Sequence, residues 1–160
     1  MGFASHLGPW LLGTNKYTTG TTAGTIQNMG ATIVAQTKTA TFAETSATTL
    51  AVLPAGACIT AVQLVIDSVV FNGTSPTLTI KNGSTTIGTI TPTASTGGQY
   101  AMTVTTTVAD AAKLTNVGST DAIITYTVSG TSVTTGSGTL IIAYIVRGSD
   151  GVMYPTSQQN

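Results

Sequence analysis

The chain has 160 residues, five Lys plus Arg against five Asp plus Glu, and only 6% charged residues, where about 25% is usual. Five scattered cations exclude the basic stripe that nucleic-acid binding requires, and 41% apolar residues exclude a disordered chain. Threonine occurs 36 times; its branched Cβ suits a pleated surface better than a helix, so the chain reads as all-β.

Residues 1–30 differ in character from the rest of the chain. Six glycines (2, 8, 13, 20, 24, 30) punctuate them, and Thr18–Thr22 shows no apolar alternation. Phe3, Leu7, Trp10 and Leu11 fall on one helical face, but Pro9 removes a donor and turns Gly8 out of α space. The segment reads as an extended arm with one apolar knot over Phe3–Leu12, holding the only Trp (Trp10) and the only His (His6). It lacks a basic n-region and is broken at Gly8-Pro9, so no signal peptide is expected. No run in the chain reaches the roughly 18 apolar residues of a membrane helix.

From residue 31 the pattern becomes strand-like. Ile33-Val34 and Phe42 mark a first strand, and Leu50 with Val52 a second that ends at Leu53-Pro54-Ala55-Gly56. A long strand then runs from Ala57 to Phe71. Val62, Leu64, Ile66 and Val70 point one way, and Gln63, Val65, Asp67 and Val69 the other. Asn72-Gly73 closes it. Leu78 and Ile80 then alternate with threonines up to an Asn82-Gly83 hairpin turn. Ile87 and Ile90 lie on opposite parities around Gly88, which marks a β-bulge.

Tyr100, Met102, Val104, Thr106 and Val108 alternate as a half-buried strand. Asp110–Leu114 forms a helical turn capped by Asp110, and Ile124, Tyr126 and Val128 make the next inward face. Leu140–Val146 is apolar on both parities and reads as a strand buried on both faces, centrally or against another chain. Eight or nine strands without a long helix imply an antiparallel two-sheet sandwich of jelly-roll or Greek-key kind. The domain plan is an N-terminal arm over 1–30, a β-sandwich body over 31–146 and a flexible polar tail over 147–160.

Candidates for chemistry are sparse. His6 has no acid nearer than Glu44, and nucleophilic catalysis needs an oriented base. Cys58, between Ala57 and Ile59, reads as a small buried thiol, and as the only cysteine it leaves the fold to packing alone. Glu44, Asp67, Asp110, Asp121 and Asp150 match no calcium loop, and no His joins them in a transition-metal pattern. No catalytic residue, metal or cofactor is therefore expected, with a hydrolase built on His6 or Asp67 as the third reading. Asn72-Gly73-Thr74 and Asn82-Gly83-Ser84 match the glycosylation sequon but read as turns.

What remains is a scaffold that meets other chains. Phe3, Leu7, Trp10, Leu11 and Leu12 form an anchor in the arm, since a buried Trp often dominates a contact. Val65, Asp67, Val69, Ile141 and Ile145 form an intersubunit surface; Asp67 reads first as the polar face of a half-exposed strand, and alternatively as a carboxylate paired to Arg147 or to a lysine of another subunit.

Leu53-Pro-Ala-Gly-Ala-Cys-Ile-Thr-Ala-Val62, running on to Phe71-Asn-Gly-Thr74, resembles a pattern of small tailed-phage virion proteins. Thr135-Gly-Ser-Gly-Thr-Leu-Ile-Ile-Ala-Tyr144 resembles their last core strand, and Met1-Gly-Phe-Ala-Ser-His-Leu-Gly-Pro-Trp-Leu-Leu-Gly-Thr14 is similar to the openings of marine phage structural proteins. The resemblance implies a non-enzymatic capsid decoration (cement) or head-fibre protein. It implies a homotrimer docked on the major capsid protein at the virion surface, made in the host cytoplasm, with neither nucleic acid nor membrane as partner. The alternative is a glycan- or receptor-binding module of a phage fibre or tail, which requires exposed aromatics in a concave patch at one end. Tyr100, Tyr126 and Tyr144 instead fall on core or interface parities.

Overall fold

A computed structural model describes residues 16–17, 27–28, 33–43, 45–67 and 72–146. Within the arm, β1 (Lys16–Tyr17) and β2 (Gln27–Asn28) pair as a short antiparallel ribbon, Lys16 opposite Asn28. The body strands are β3 (Ile33–Thr41), β4 (Thr48–Leu53), β5 (Cys58–Ile66), β6 (Thr74–Asn82), β7 (Thr85–Ile90), β8 (Gly98–Ala101), β9 (Thr103–Val104), β10 (Ala122–Thr131) and β11 (Ser137–Ile145). A single helix among the described residues, α1 (Val108–Thr115), lies between β9 and β10.

Two antiparallel sheets pack face to face, one ordered β4-β10-β6-β7-β9 and the other β3-β11-β5-β8. The pairs β3·β11, β4·β10, β5·β8 and β6·β7 are the rungs of one long ribbon, and β11·β5 with β10·β6 join its coils. A rolled ribbon of this kind is a jelly roll, so the all-β two-sheet sandwich read from strand periodicity is the observed fold.

The core arises from strict alternation. Leu53, Leu64, Leu78, Ile80, Ile87, Ile90, Ile124, Tyr126 and Leu140 have no exposed surface, and no polar or charged side chain is buried among the described residues. Gln36 spans the open edge of the sandwich: its Nε2 donates to the Val52 carbonyl and to Tyr144 Oη, both at 3.0 Å, which joins β3 to β4 across the two sheets. The bulge expected at Gly88 is present, since Ile80 pairs with Gly88 but Lys81 with Thr86. The extra residue lets Ile87 and Ile90 both point inward despite their opposite parities.

Four expectations need correction. β5 stops at Ile66, Asp67 already lies in a bend, and residues 68–71 are outside the described part. The strand read from Tyr100 to Val108 is broken at Met102, where the chain leaves β5 and pairs with β7 instead. Alternation continues across that switch, which hid it, and Val108 is 85% exposed at the start of a helix. The helix N-cap is Thr107 rather than Asp110, which sits in the first turn. The hairpin loop is Gly83-Ser84, one residue later than read, because Asn82 still pairs with Thr85. Gly83 takes φ +59° at the first loop position, where a type II′ turn places glycine.

Candidate interaction face

The two sheets present opposite chemistry to the outside. In β11, Leu140, Ile142 and Tyr144 are buried in the core, so Ile141, Ala143 and Ile145 point outward. Register extends this face across the four-stranded sheet. Its rungs read Ile33–Ile145–Cys58, Ala35–Ala143–Ala61, Thr37–Ile141–Gln63–Ala101 and Thr39–Thr139–Val65–Gln99. None of these residues carries a charge.

On the five-stranded sheet the outward rungs read Thr49–Thr125–Lys81–Thr86 and Thr127–Thr79–Thr89–Thr103. That face is a grid of hydroxyls with one ammonium, and it interacts well with water. Its apolar residues are confined to the rim pair Val52 and Ile123, 50% and 54% exposed. The contrast between the sheets is physical: one outer face is hydrated at little cost, while the other leaves Ile, Val and Ala surface in water unless something covers it.

The apolar face continues over the β8 edge. Ala61, Gln63, Ala101, Met102, Val104 and Leu114 line a shallow groove of about 190 Å³ between β5 and α1. Exposed Val104 lies at the groove, and exposed Val108 begins the helix beside it.

The candidate interface residues divide accordingly. Val65, Ile141 and Ile145 are brought together on the apolar face, each half-buried. The strand 140–146 is thus central in its sheet but buried on one face only. Asp67 is exposed past the end of β5, outside those rungs. Val69, Arg147, His6 and the arm residues Phe3, Leu7, Trp10, Leu11 and Leu12 lie outside the described residues. Cys58, read as buried, is half-exposed on the face, one rung partner of Ile145. Sequence reasoning missed Ile33, Ala35, Ala61 and Ala143. Alanine is a weak strand signal, and only the register shows that the three alanines form one rung.

Both sequon asparagines are engaged by the fold. Asn72 Nδ2 donates to Thr134 Oγ1 at 3.0 Å, and its Oδ1 accepts the backbone N–H groups of Thr134 and Thr135, each at 3.0 Å. One side chain therefore clasps the β10–β11 loop to the start of β6. Asn82 Nδ2 donates to the Val117 carbonyl at 2.9 Å and ties the β6–β7 hairpin to the segment after α1. Asp121 Oδ1 accepts the Ala55 N–H at 3.1 Å at the same end.

Among the described residues no cluster of three His, Cys, Asp or Glu side chains could hold a metal ion. No described helix is long and apolar enough to cross a membrane. Of the aromatics described in the body, Phe42, Tyr126 and Tyr144 are buried and Tyr100 is half-buried, its hydroxyl donating to the Thr96 carbonyl at 3.0 Å. Comparison with known proteins returns no matching family model, no matching curated protein and no matching solved structure.

Proposed function

We propose that this chain is a non-enzymatic virion structural protein, a capsid decoration (cement) or head-fibre protein that stabilises a phage head by docking on the major capsid protein as a homotrimer. The observation that carries the reading is the asymmetry of the sandwich: an uncharged, mainly apolar outer face on one sheet and a threonine grid on the other. A chain of this kind spends its working life with one face against protein and the other against water. The resemblance of Leu53–Val62, Thr135–Tyr144 and Met1–Thr14 to phage virion proteins supports the choice of assembly, and jelly rolls recur in viral capsid domains. Fold alone does not assign function.

In this reading the arm over 1–30, with Phe3, Leu7, Trp10, Leu11 and Leu12, anchors the body to the shell or to sister subunits. Ile141, Ile145 and Val65 lie between chains, and Asp67 and Val69 flank that contact. The protein is then made in the host cytoplasm and resides on the capsid surface. No nucleic acid, membrane or cofactor takes part.

The test is mass in solution by light scattering, first alone and then mixed with heads lacking this protein. A trimer that binds stoichiometrically and raises the melting temperature of the heads supports the reading through linkage. A monomer that ignores the shell sinks it. The glycan-binding alternative requires an exposed aromatic platform, and no aromatic side chain described in the body is exposed.

A further inference from the structure

We propose that the apolar face of the four-stranded sheet is the seat of the arm, residues 1–14, supplied by a neighbouring copy of the same chain. The inference rests on the oligomeric reading above and names the partner of that face.

The first argument is chemical match. Residues 1–14 contain no Lys, Arg, Asp or Glu and six large apolar side chains, Met1, Phe3, Leu7, Trp10, Leu11 and Leu12. The four rungs of the face are equally free of charge. Burying either surface against a charged partner would strand ions without compensation, whereas burying one against the other strands none.

Reach is the second argument. Thirty-two residues precede β3, whose first residue, Ile33, stands on the first rung of the face. Pairing of Lys16 with Asn28 folds that stretch back on itself. Residue 16 therefore starts only five residues from the sheet, at most about 18 Å of extended chain. The 13 residues from Lys16 back to Phe3 can span about 45 Å. The face measures about 30 Å along its nine-residue strands and about 15 Å across. The arm can cross to an adjoining copy and still lie along its whole length.

Area and closure then select the neighbour over the arm's own body. If each arm covered its own sandwich, the described surface left for assembly would be the threonine grid, the rim pair Val52 and Ile123, and the small patch of Val104 and Val108 at the groove. Exchanged arms bury the same surfaces and link the copies. About 450 Å² of face, roughly doubled by the arm, puts about 900 Å² into each contact of a closed ring, the low end of specific interfaces, and each copy takes part in two such contacts. A ring also leaves no face bare and no end to grow into a fibre.

The face carries its own probe, because Cys58 is the only cysteine and lies on the first rung. The experiment is Leu11→Cys in the full chain, oxidised at dilute concentration and run on a non-reducing gel. Wild type and Leu11→Cys/Cys58→Ser serve as controls. The expected result is covalent dimers and trimers, reversed by reductant and missing in both controls. A disulfide confined to single chains would place the arm on its own body and overturn the proposal. Two free thiols would overturn it equally.

A second readout does not depend on a disulfide forming. Deleting residues 2–12 is expected to speed thiol labelling of Cys58 about ten-fold. Ile141→Glu is expected to shift Trp10 fluorescence to the red, and an unchanged spectrum speaks against seating on this face. The two ideas fail separately. Heads bound by a protein whose arm cross-links in cis would end this inference alone, and trans cross-links in a protein that ignores heads would end only the capsid reading.

Discussion

Replacing Gly88 by alanine tests whether the passage of one strand between the two sheets holds the sandwich shut. A Cβ on Gly88 would lie 2.6 Å from Met102 Cγ and 2.6 Å from the Thr103 carbonyl oxygen. The side chain of Met102 can swing aside, but the carbonyl belongs to β9, paired with β7 only through Gly88–Val104 and Thr89–Thr103. Gly88 does not have a positive φ, so alanine meets no backbone penalty and gains about 0.4–1 kcal/mol through the unfolded state. Overpacking costs about 1–3 kcal/mol. The net expectation is a loss of about 1 kcal/mol, read as a Tm lower by about 2–4 °C at this size. Urea unfolding of Gly88→Ala, alone and in a Met102→Ala background, separates the two contacts. The loss should shrink but persist in the double variant, because the carbonyl contact remains. A single variant as stable as wild type, with an unchanged denaturant slope, would refute the argument that β9 is held by this close approach.

The same geometry sets three more expectations. Leu64→Ala, at a fully buried site between β11 and β8, should cost about 2–5 kcal/mol in urea unfolding. Asn72→Ala should cost only about 1 kcal/mol globally; hydrogen exchange should speed about ten-fold at the amides of Thr134 and Thr135, which lose their acceptor. Ile141→Glu should leave the melting temperature of the isolated body nearly unchanged while lowering the solution mass, whereas Thr79→Glu on the opposite sheet should change neither.

Much of the body was legible because inward apolar residues recur at every second position, Leu78 and Ile80 in β6, Ile124, Tyr126 and Val128 in β10, and Val62, Leu64 and Ile66 in β5. The bulge was legible too, since two inward isoleucines of opposite parity require an extra residue between them. What stayed hidden lies where periodicity is blind. Alternation from Tyr100 to Val104 is equally good for a strand that stays in its sheet and one that changes sheets at Met102. Val108 fits a strand parity yet begins a helix, because Thr107 turns the chain there. The apolar run Val69–Phe71 extended the reading of β5 past Ile66, and nothing local to the sequence announces that end. The candidate face was half visible, through Ile141, Ile145 and Val65; the alanine rung Ala35–Ala143–Ala61 emerges only when three strands are set in register.

The rung that joins Ile33 to Ile145 has a mechanical consequence. The chain enters and leaves the sandwich side by side at one pole, on adjacent antiparallel strands. Tension between the flanking segments would therefore open β3 from β11 one rung at a time, from that pair inward, as a zipper opens. Tension between the arm and the opposite pole, where the β10–β11 loop is clasped by Asn72, would instead slide β3 along β11 and load all nine rungs together. An identical sandwich is thus weak to one pull and strong to the other. A protein held by its arm and loaded from its far loops meets force in the strong direction.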